Sequence, residues 1–311
     1  MVRRLLRALG SPQVRWAFVV AVLVGFATAL WKSRHDLSRA LRELSAGALG
    51  GGLAAVLVGL VASMLAYRAL LADLGSPLPV VVAARIFFVG QLGKYIPGSL
   101  WPVVAQMEMG RDAGVPRQRS ATAITLTILI YLGIGLLVGG VALLFASGVP
   151  VAYRWLVLAA PLLLALLHPR LLNPLVRRVV ALARRPAPEH DLSGRGVLAA
   201  ALWSLVSWVA FGVMVELLAS SLGAPPGRAL PLAVGGFAAA WSVGFLVVLA
   251  PAGAGPREVV LVAVLAPVLQ RSEALAVSVV ARLLMTLGDV LTAGAAVAAW
   301  QAGRRRSVTE R

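Results

Sequence analysis

The sequence predicts an all-α, polytopic helical membrane protein built from two inverted repeats with broken or re-entrant helices. Three observations carry that prediction. Of the 311 residues, 60% are hydrophobic and only 13% are charged. With a mean hydropathy of +0.89, no water-soluble domain of this length is so apolar throughout. Apolar runs long enough to span lipid recur between short charged connectors. Finally, two of those runs are interrupted by glycine and proline at the same spacing.

The first interruption, 90–102, reads GQLGKYIPGSLWP. Pro97 and Pro102 donate no backbone hydrogen bond, and Gly93 and Gly98 loosen the turn. The second runs from Gly244 through Pro251 to Pro256, each 154 residues after Gly90, Pro97 and Pro102. Leu74-Gly75-Ser76-Pro77 answers Leu222-Gly223-Ala224-Pro225, and Leu132-Gly133 answers Leu287-Gly288. The spacing drifts by a few residues between these echoes, so residue equivalences are confined to the Gly/Pro core; the alternative to a duplication is a chance match in a chain rich in both residues. In lipid, unpaired backbone survives only when it is buried in protein or lines a wet cavity. The interruptions are therefore the places to look for function.

Composition also excludes classes. There is no cysteine, hence no disulfide and no thiolate metal site. His35, His168 and His190 lack metal-ligand spacing, so no metal and no cofactor is expected. A formal charge of +17 raises the question of nucleic acid. The arginines fall mostly between apolar spans, without interleaved aromatics, which fits membrane topology and anionic headgroups instead. The residues from Gly90 to Lys94 lack the G-x4-G-K-[ST] spacing of a nucleotide-binding loop.

Taken in order, a basic leader with Arg3, Arg4, Arg7 and Arg15 precedes a first span at 16–31. Ala27-Thr28-Ala29 has the form of a signal-peptidase site, but the apolar runs that follow favour an uncleaved anchor. A second span covers 47–71. The run 80–95 enters the first break, and 98–109 continues beyond it as a half-helix. A basic loop around Gly114 and Pro116 leads into a span at 121–146, which carries Thr122, Thr125, Thr127 and Tyr131. A shorter span, 151–167, precedes the main hydrophilic segment, 168–196, where Pro186-Ala187-Pro188 reads as a linker. Spans follow at 197–222 and 230–250, then the second break, a half-helix at 256–269, and a last span at 274–300 before a basic tail.

These elements group into five regions: 1–46 (leader, first span and connector), 47–146 (first repeat), 147–196 (linking span and arginine-rich loop), 197–303 (second repeat) and 304–311 (tail). The leader, the 111–119 loop, the 168–196 loop and the tail hold most of the basic residues. Placing them all on the cytoplasmic side puts both termini there. The single span at 151–167 then inverts the second repeat relative to the first. Inverted repeats with broken helices recur in transporters, with the substrate site near the bilayer midplane. Spacing alone leaves open whether each pair of half-helices crosses the membrane or re-enters.

The two breaks also carry a family resemblance. Lys94-Tyr95-Ile96-Pro97-Gly98-Ser99-Leu100-Trp101 is similar to a KYIPG-x-x-W signature. The run from Pro251 to Glu258, PAGAGPRE, resembles P-G-G-x-G-x-R-E, and Arg282 stands where an arginine occurs in the last span. Both belong to the transmembrane-region family of lysylphosphatidylglycerol synthase, which includes the flippase half of the multiple peptide resistance factor and stand-alone relatives. The resemblance covers roughly residues 50–300 and implies lipid translocation, or a role in exporting lipid- or polyprenyl-phosphate-linked groups. Ala252 departs from a glycine and Pro256 from an apolar residue. The span after the first break has threonines and Tyr131 in place of a charge, which points to a different lipid head. The aminoacyl-transferase domain of the fused enzymes has no counterpart up to Arg311, so the expectation is a transporter, not an enzyme.

The residues expected to bind substrate are Lys94, Tyr95, Pro97, Gly98, Trp101, Gly253, Gly255, Arg257, Glu258, Arg282 and Asp289; none is expected to be catalytic. A charge at membrane depth costs several kcal/mol unless it is paired or wetted, on the order of 3 kcal/mol on insertion scales. Lys94, Arg257 and Arg282, with backbone amides at 98–101 and 253–257, would suit a phosphate. Pro256 suits the first helical position, which places Glu258 in the first turn. Arg282 and Asp289 share one helix face, so Asp289 or Glu258 is expected to hold Arg282 when no lipid is bound. Each feature also has a structural reading. Lys94 snorkels to an interface, Arg257 and Glu258 form a bracing ion pair, Arg282 and Asp289 pair structurally, and Tyr95, Trp101 and Trp241 are packing or interface anchors.

Three functions are compatible with these residues. The first is a lipid flippase or transporter of the cell membrane moving a lipid with a phosphate-bearing head. The second is a membrane-embedded glycosyl- or aminoacyl-transferase subunit. The third is a scaffold that recruits a separate lipid-modifying enzyme through the 168–196 loop. The partners expected are membrane lipids; no nucleic acid is expected, and a homo-oligomer is compatible with all three.

Overall fold

The computed structural model describes residues 38, 42–95, 101–144, 165, 168–182, 191–246 and 255–309. The expected first span, most of the 151–167 span and the Pro186-Ala187-Pro188 linker lie outside them, as do positions 96–100 and 247–254 at the two breaks. The described residues form nine helices and no strand: α1 (Ala46–Asp73), α2 (Val80–Gln91), α3 (Trp101–Asp112), α4 (Arg117–Leu144), α5 (Pro169–Leu182), α6 (Gly194–Ser221), α7 (Pro226–Leu246), α8 (Pro256–Leu265) and α9 (Arg271–Thr309). Among them α1, α4, α6, α7 and α9 are long and apolar enough to cross a membrane.

The centre of the fold is the α1–α6 pair. Ser63 Oγ lies 2.9 Å from Ser207 Oγ, Gly59 faces the Phe211 ring, and the far ends meet at Ser45–Ser221 and Asp73–Ser193. The paired positions rise on one helix as they fall on the other, so the two helices run antiparallel over their whole length. Both begin on a serine cap. Ser45 Oγ accepts from the Ala48 N–H and Ser193 Oγ from the Gly196 N–H, satisfying amides that the first turn leaves without partners. Each cap is in turn met by the end of the other helix. Ser221 Oγ accepts from the Ser45 N–H, and Asp73 accepts from both the backbone and the hydroxyl of Ser193. The Leu-Gly echoes noted in the sequence end these two helices, with Gly75 and Gly223 at φ 83° and 93°, conformations that favour glycine.

After each of these glycines the chain makes a hairpin. Gly90 packs against Gln106, and a Cβ on Gly93 would lie 2.9 Å from the Pro102 nitrogen. Helices α2 and α3 therefore fold back on each other. At 12 residues, α2 is roughly 18 Å long, too short to cross a hydrocarbon layer of about 30 Å. In the same way α7 and α8 fold back, with Gly236 against Val264 and Leu261. Each pair thus folds back on itself; α2 is too short to cross, whereas α7 is long enough. Because the hairpins start at the C-terminal ends of antiparallel helices, they enter from opposite ends of the α1–α6 pair. The second arm is the longer. α7 has 21 residues against 12 in α2.

Contacts between helices follow one exchange rule. α2 packs on α9 as α7 packs on α4, α1 touches α9 as α6 touches α4, and α3 lies on α4 as α8 lies on α9. Helix α3 is described from Trp101 to Asp112, and the expected start at Gly98 lies outside the described residues; the following span begins at Arg117, directly after Pro116. The hydrophilic segment differs more from the sequence reading. Helix α5 forms within it, with Arg170, Asn173, Pro174, Arg177 and Arg178 recurring at the spacing of one helical face. Leu172 is buried, Asn173 exchanges hydrogen bonds with the Leu192 backbone, and Arg177 pairs with Asp191 at 2.7 Å.

Candidate functional site

The site forms where both hairpin tips reach α9. On that helix Arg282, Thr286 and Asp289 follow at intervals of four and three residues, so they form one stripe about 10 Å long. Arg282 faces one tip and Asp289 the other.

At the first tip, α2 tightens into a 3-10 turn over Leu92–Tyr95. That turn sets Lys94 Nζ 2.6 Å from Asp289 Oδ2. The Tyr95 hydroxyl donates to the same oxygen at 2.6 Å and lies 3.2 Å from Thr286 Oγ1. Asp289 is only 3% exposed, whereas Lys94 keeps 29% of its side-chain surface. Lys94 is thus held as the counter-ion of a buried carboxylate and does not snorkel. Neither the snorkelling reading nor the reading of Tyr95 as a mere packing anchor describes this arrangement.

At the second tip, Gly255 adopts φ 93° before Pro256 opens α8. Glu258, 3% exposed, uses both carboxylate oxygens. Its Oε2 accepts from the Gly255 N–H at 2.6 Å, and its Oε1 accepts from Arg282 Nη1. Two sequence expectations change here. Glu258 braces Arg282 and not its neighbour Arg257, because the side chains of consecutive helical residues diverge by about 100°. The Gly255 amide, expected to face a phosphate, is already satisfied by Glu258. Of the two candidates for holding Arg282, Glu258 holds it and Asp289 holds Lys94.

Arg257 turns the other way. Its guanidinium stacks 4.6 Å from the Phe237 ring centroid on α7. It is within electrostatic range of Glu258, Arg282, Tyr131 and Tyr95. Among the described residues no carboxylate stands at ion-pair distance from it. Beyond Phe237 lies an aromatic wall. Tyr131 stacks on Trp208 at 4.4 Å, Trp241 meets both edge-on, and the Trp208 indole donates to the Tyr131 carbonyl. Trp241 therefore packs inside the bundle.

The remaining expected residues are placed as follows. Trp101 opens α3 and is half exposed. Pro97, Gly98 and Gly253 fall outside the described residues. Glu108, at the far end of α3, is bound by two guanidinium nitrogens of Arg117, Nε and Nη2, each at 2.9 Å. Glu216 accepts from Ser220 within α6. Two participants were missed in the sequence. Thr286 had a signal, since it lies on the stripe between Arg282 and Asp289. Phe237 had none, because its role depends on how α7 folds over α8.

The site thus brings three cations and two carboxylates together where the two hairpins pack on α9, a helix long and apolar enough to cross a membrane. Ions there require partners or water, and such an arrangement suits an anionic group that replaces or joins a carboxylate. No curated protein matches the chain. Residues 14–293 match the family described as Lysylphosphatidylglycerol synthase TM region. The chain is a multi-pass membrane protein and belongs to that family.

Proposed function

We propose that the protein is a flippase or transporter that moves a lipid with a phosphate-bearing head across the cell membrane, with both termini on the cytoplasmic side. The two hairpins act as halves of an inverted repeat. The headgroup passes between their tips along the α9 stripe while the acyl or prenyl chains stay in the bilayer. The observation that carries this reading is the pairing itself. Lys94 from one tip and Arg282 facing the other are each neutralised by a buried carboxylate, and a phosphate is the natural competitor for both cations. Antiparallel α1 and α6, together with the exchange of packing partners, supports the inverted relation. The placement of the basic loops supports the cytoplasmic termini. Transport, not group transfer, is favoured because both carboxylates are occupied in ion pairs, which leaves neither placed as a free acid or base.

The test is lipid movement in reconstituted vesicles. Lys94→Ala and Arg257→Ala are expected to elute as folded protein and to abolish movement. Wild-type rates in both variants would overturn the proposal. Product formation from candidate donors by the purified protein would replace it with the transferase reading.

A further inference from the structure

We infer that α5 is an interfacial helix that grips the anionic surface of the bilayer, with Leu171 among the lipid chains and Arg170 and Arg178 on headgroup phosphates. This surface is separate from the α9 site and does not depend on the transport reading. Depth comes first. Helices α1 and α6 have 28 residues each, hence a length of about 42 Å. A bilayer measures about 30 Å across its hydrocarbon and roughly 40–45 Å with its headgroups. Set across a bilayer, the antiparallel pair ends at headgroup level. At one end Asp73 of α1 holds Ser193, the cap of α6. Leu192, beside that cap, exchanges both backbone groups with Asn173 of α5, and Leu172 is 3% exposed within the core cluster. Helix α5 is thus fastened at that level.

Helical geometry then orients it. Successive residues diverge by about 100°, and residues seven apart nearly coincide. Arg170 and Arg177 share one face, which Arg177 fixes beside Asp191 at 2.7 Å. Leu171 and Arg178 share a second face about 100° round, and Leu172 lies about 100° further, inside the bundle. The Leu171–Arg178 face is therefore left between the Asp191 side and the protein core. On it Leu171 is 52% exposed and Arg178 is exposed. Among the described residues no carboxylate stands at ion-pair distance from Arg178 or Arg170. The carboxylates of this corner, Asp73 and Asp191, are already engaged by Ser193 and Arg177, and Arg195 adds an exposed cation in the first turn of α6. An exposed leucine flanked by unmatched arginines suits a membrane surface. The leucine and the arginine stems pack on lipid chains, while the guanidinium groups reach phosphate. Anionic headgroups supply the charge that this corner lacks.

The chain has no cysteine, so Leu171→Cys provides a single position for a nitroxide label in the full-length protein. The labelled protein is placed in vesicles of phosphatidylcholine alone or mixed with phosphatidylglycerol. Collisions of the label with oxygen, which enters lipid, are compared with collisions with a water-soluble nickel complex. In the mixed vesicles the label is expected to meet oxygen and to be shielded from nickel. Each arginine near an anionic surface contributes about fivefold to the equilibrium. Arg170→Gln combined with Arg178→Gln should therefore lower the ratio of lipid-contacting to water-contacting label by about tenfold or more, and high salt should act in the same direction without any substitution. Both arginines are exposed, so the variant is expected to elute as folded protein. A label open to nickel in both kinds of vesicle would overturn the inference and leave this face to a soluble partner. Shielding from both colliders would overturn it in favour of a second copy of the chain. Insertion indifferent to phosphatidylglycerol, to salt and to both arginines would defeat the anionic surface as the occupant.

Discussion

The Lys94–Asp289 contact allows the site to be tested as a measurable coupling. Asp289 is almost fully buried, and its Oδ2 receives both Lys94 and Tyr95 at 2.6 Å. Removing one partner of a buried ion pair typically costs about 3–5 kcal/mol, because the other charge is left unmatched. Lys94 keeps 29% of its side-chain surface, so water screens part of that penalty and about 2–3 kcal/mol is expected. Lys94→Met strands a carboxylate that keeps the Tyr95 hydroxyl. Asp289→Leu strands an ammonium and frees that hydroxyl, so it should be the more damaging of the two. The double variant removes both charges and should be less destabilised than the sum of the single variants by about 1–2 kcal/mol. The assay is reversible unfolding in bicelles, read from tryptophan fluorescence for the wild type and the three variants. Strictly additive losses would show that the two charges do not interact, and would refute the argument that α9 joins the hairpin tips through ion pairs.

Two further outcomes follow from packing and from the surface. In Gly212→Ala the new Cβ would lie 2.3 Å from Val234 Cγ2 and 2.7 Å from its Cα. Because backbone on α7 would have to move, a loss of about 1–3 kcal/mol is expected in the same unfolding assay. Glu108 lies outside the spans, and its hydrogen bond to Arg117 holds its carboxyl below the usual carboxylate range. A lowered carboxylate pKa contributes stability above the unfolded-state value and loses it as pH falls through the folded-state value. The stability difference between the wild type and Glu108→Gln should therefore be present at neutral pH and vanish in acid. A difference independent of pH would show that the pair does not act through charge.

How much of the site could be read from sequence depends on the kind of interaction. Glycine and proline spacing located both breaks, because a missing N–H or Cβ acts on its own turn. The same local logic placed Pro256 and Glu258 in the first turn of α8 and put Arg282 and Asp289 on one face. Two assignments failed for a common reason. Arg257 and Glu258 are adjacent in sequence yet point apart. Asp289 finds its partner on Lys94, whose position depends on how the first hairpin folds back. Helix α5 was hidden inside a segment read as loop, since its polar and apolar residues average out unless they are followed at helical spacing.

By itself the sequence determined the membrane class, the positions where helices break and the kinds of charge that stand beside those breaks. Each of these follows from hydropathy or backbone chemistry within a few turns of chain. Only the tertiary structure decided that the two hairpins fold back at opposite ends of an antiparallel pair, and that α9 receives residues from both. It also decided that two of three cations are neutralised while Arg257 is left facing an aromatic ring. The reason is that several cations and carboxylates in this chain are interchangeable by type. Which of them meet is set by distances across the bundle, which local periodicity does not encode.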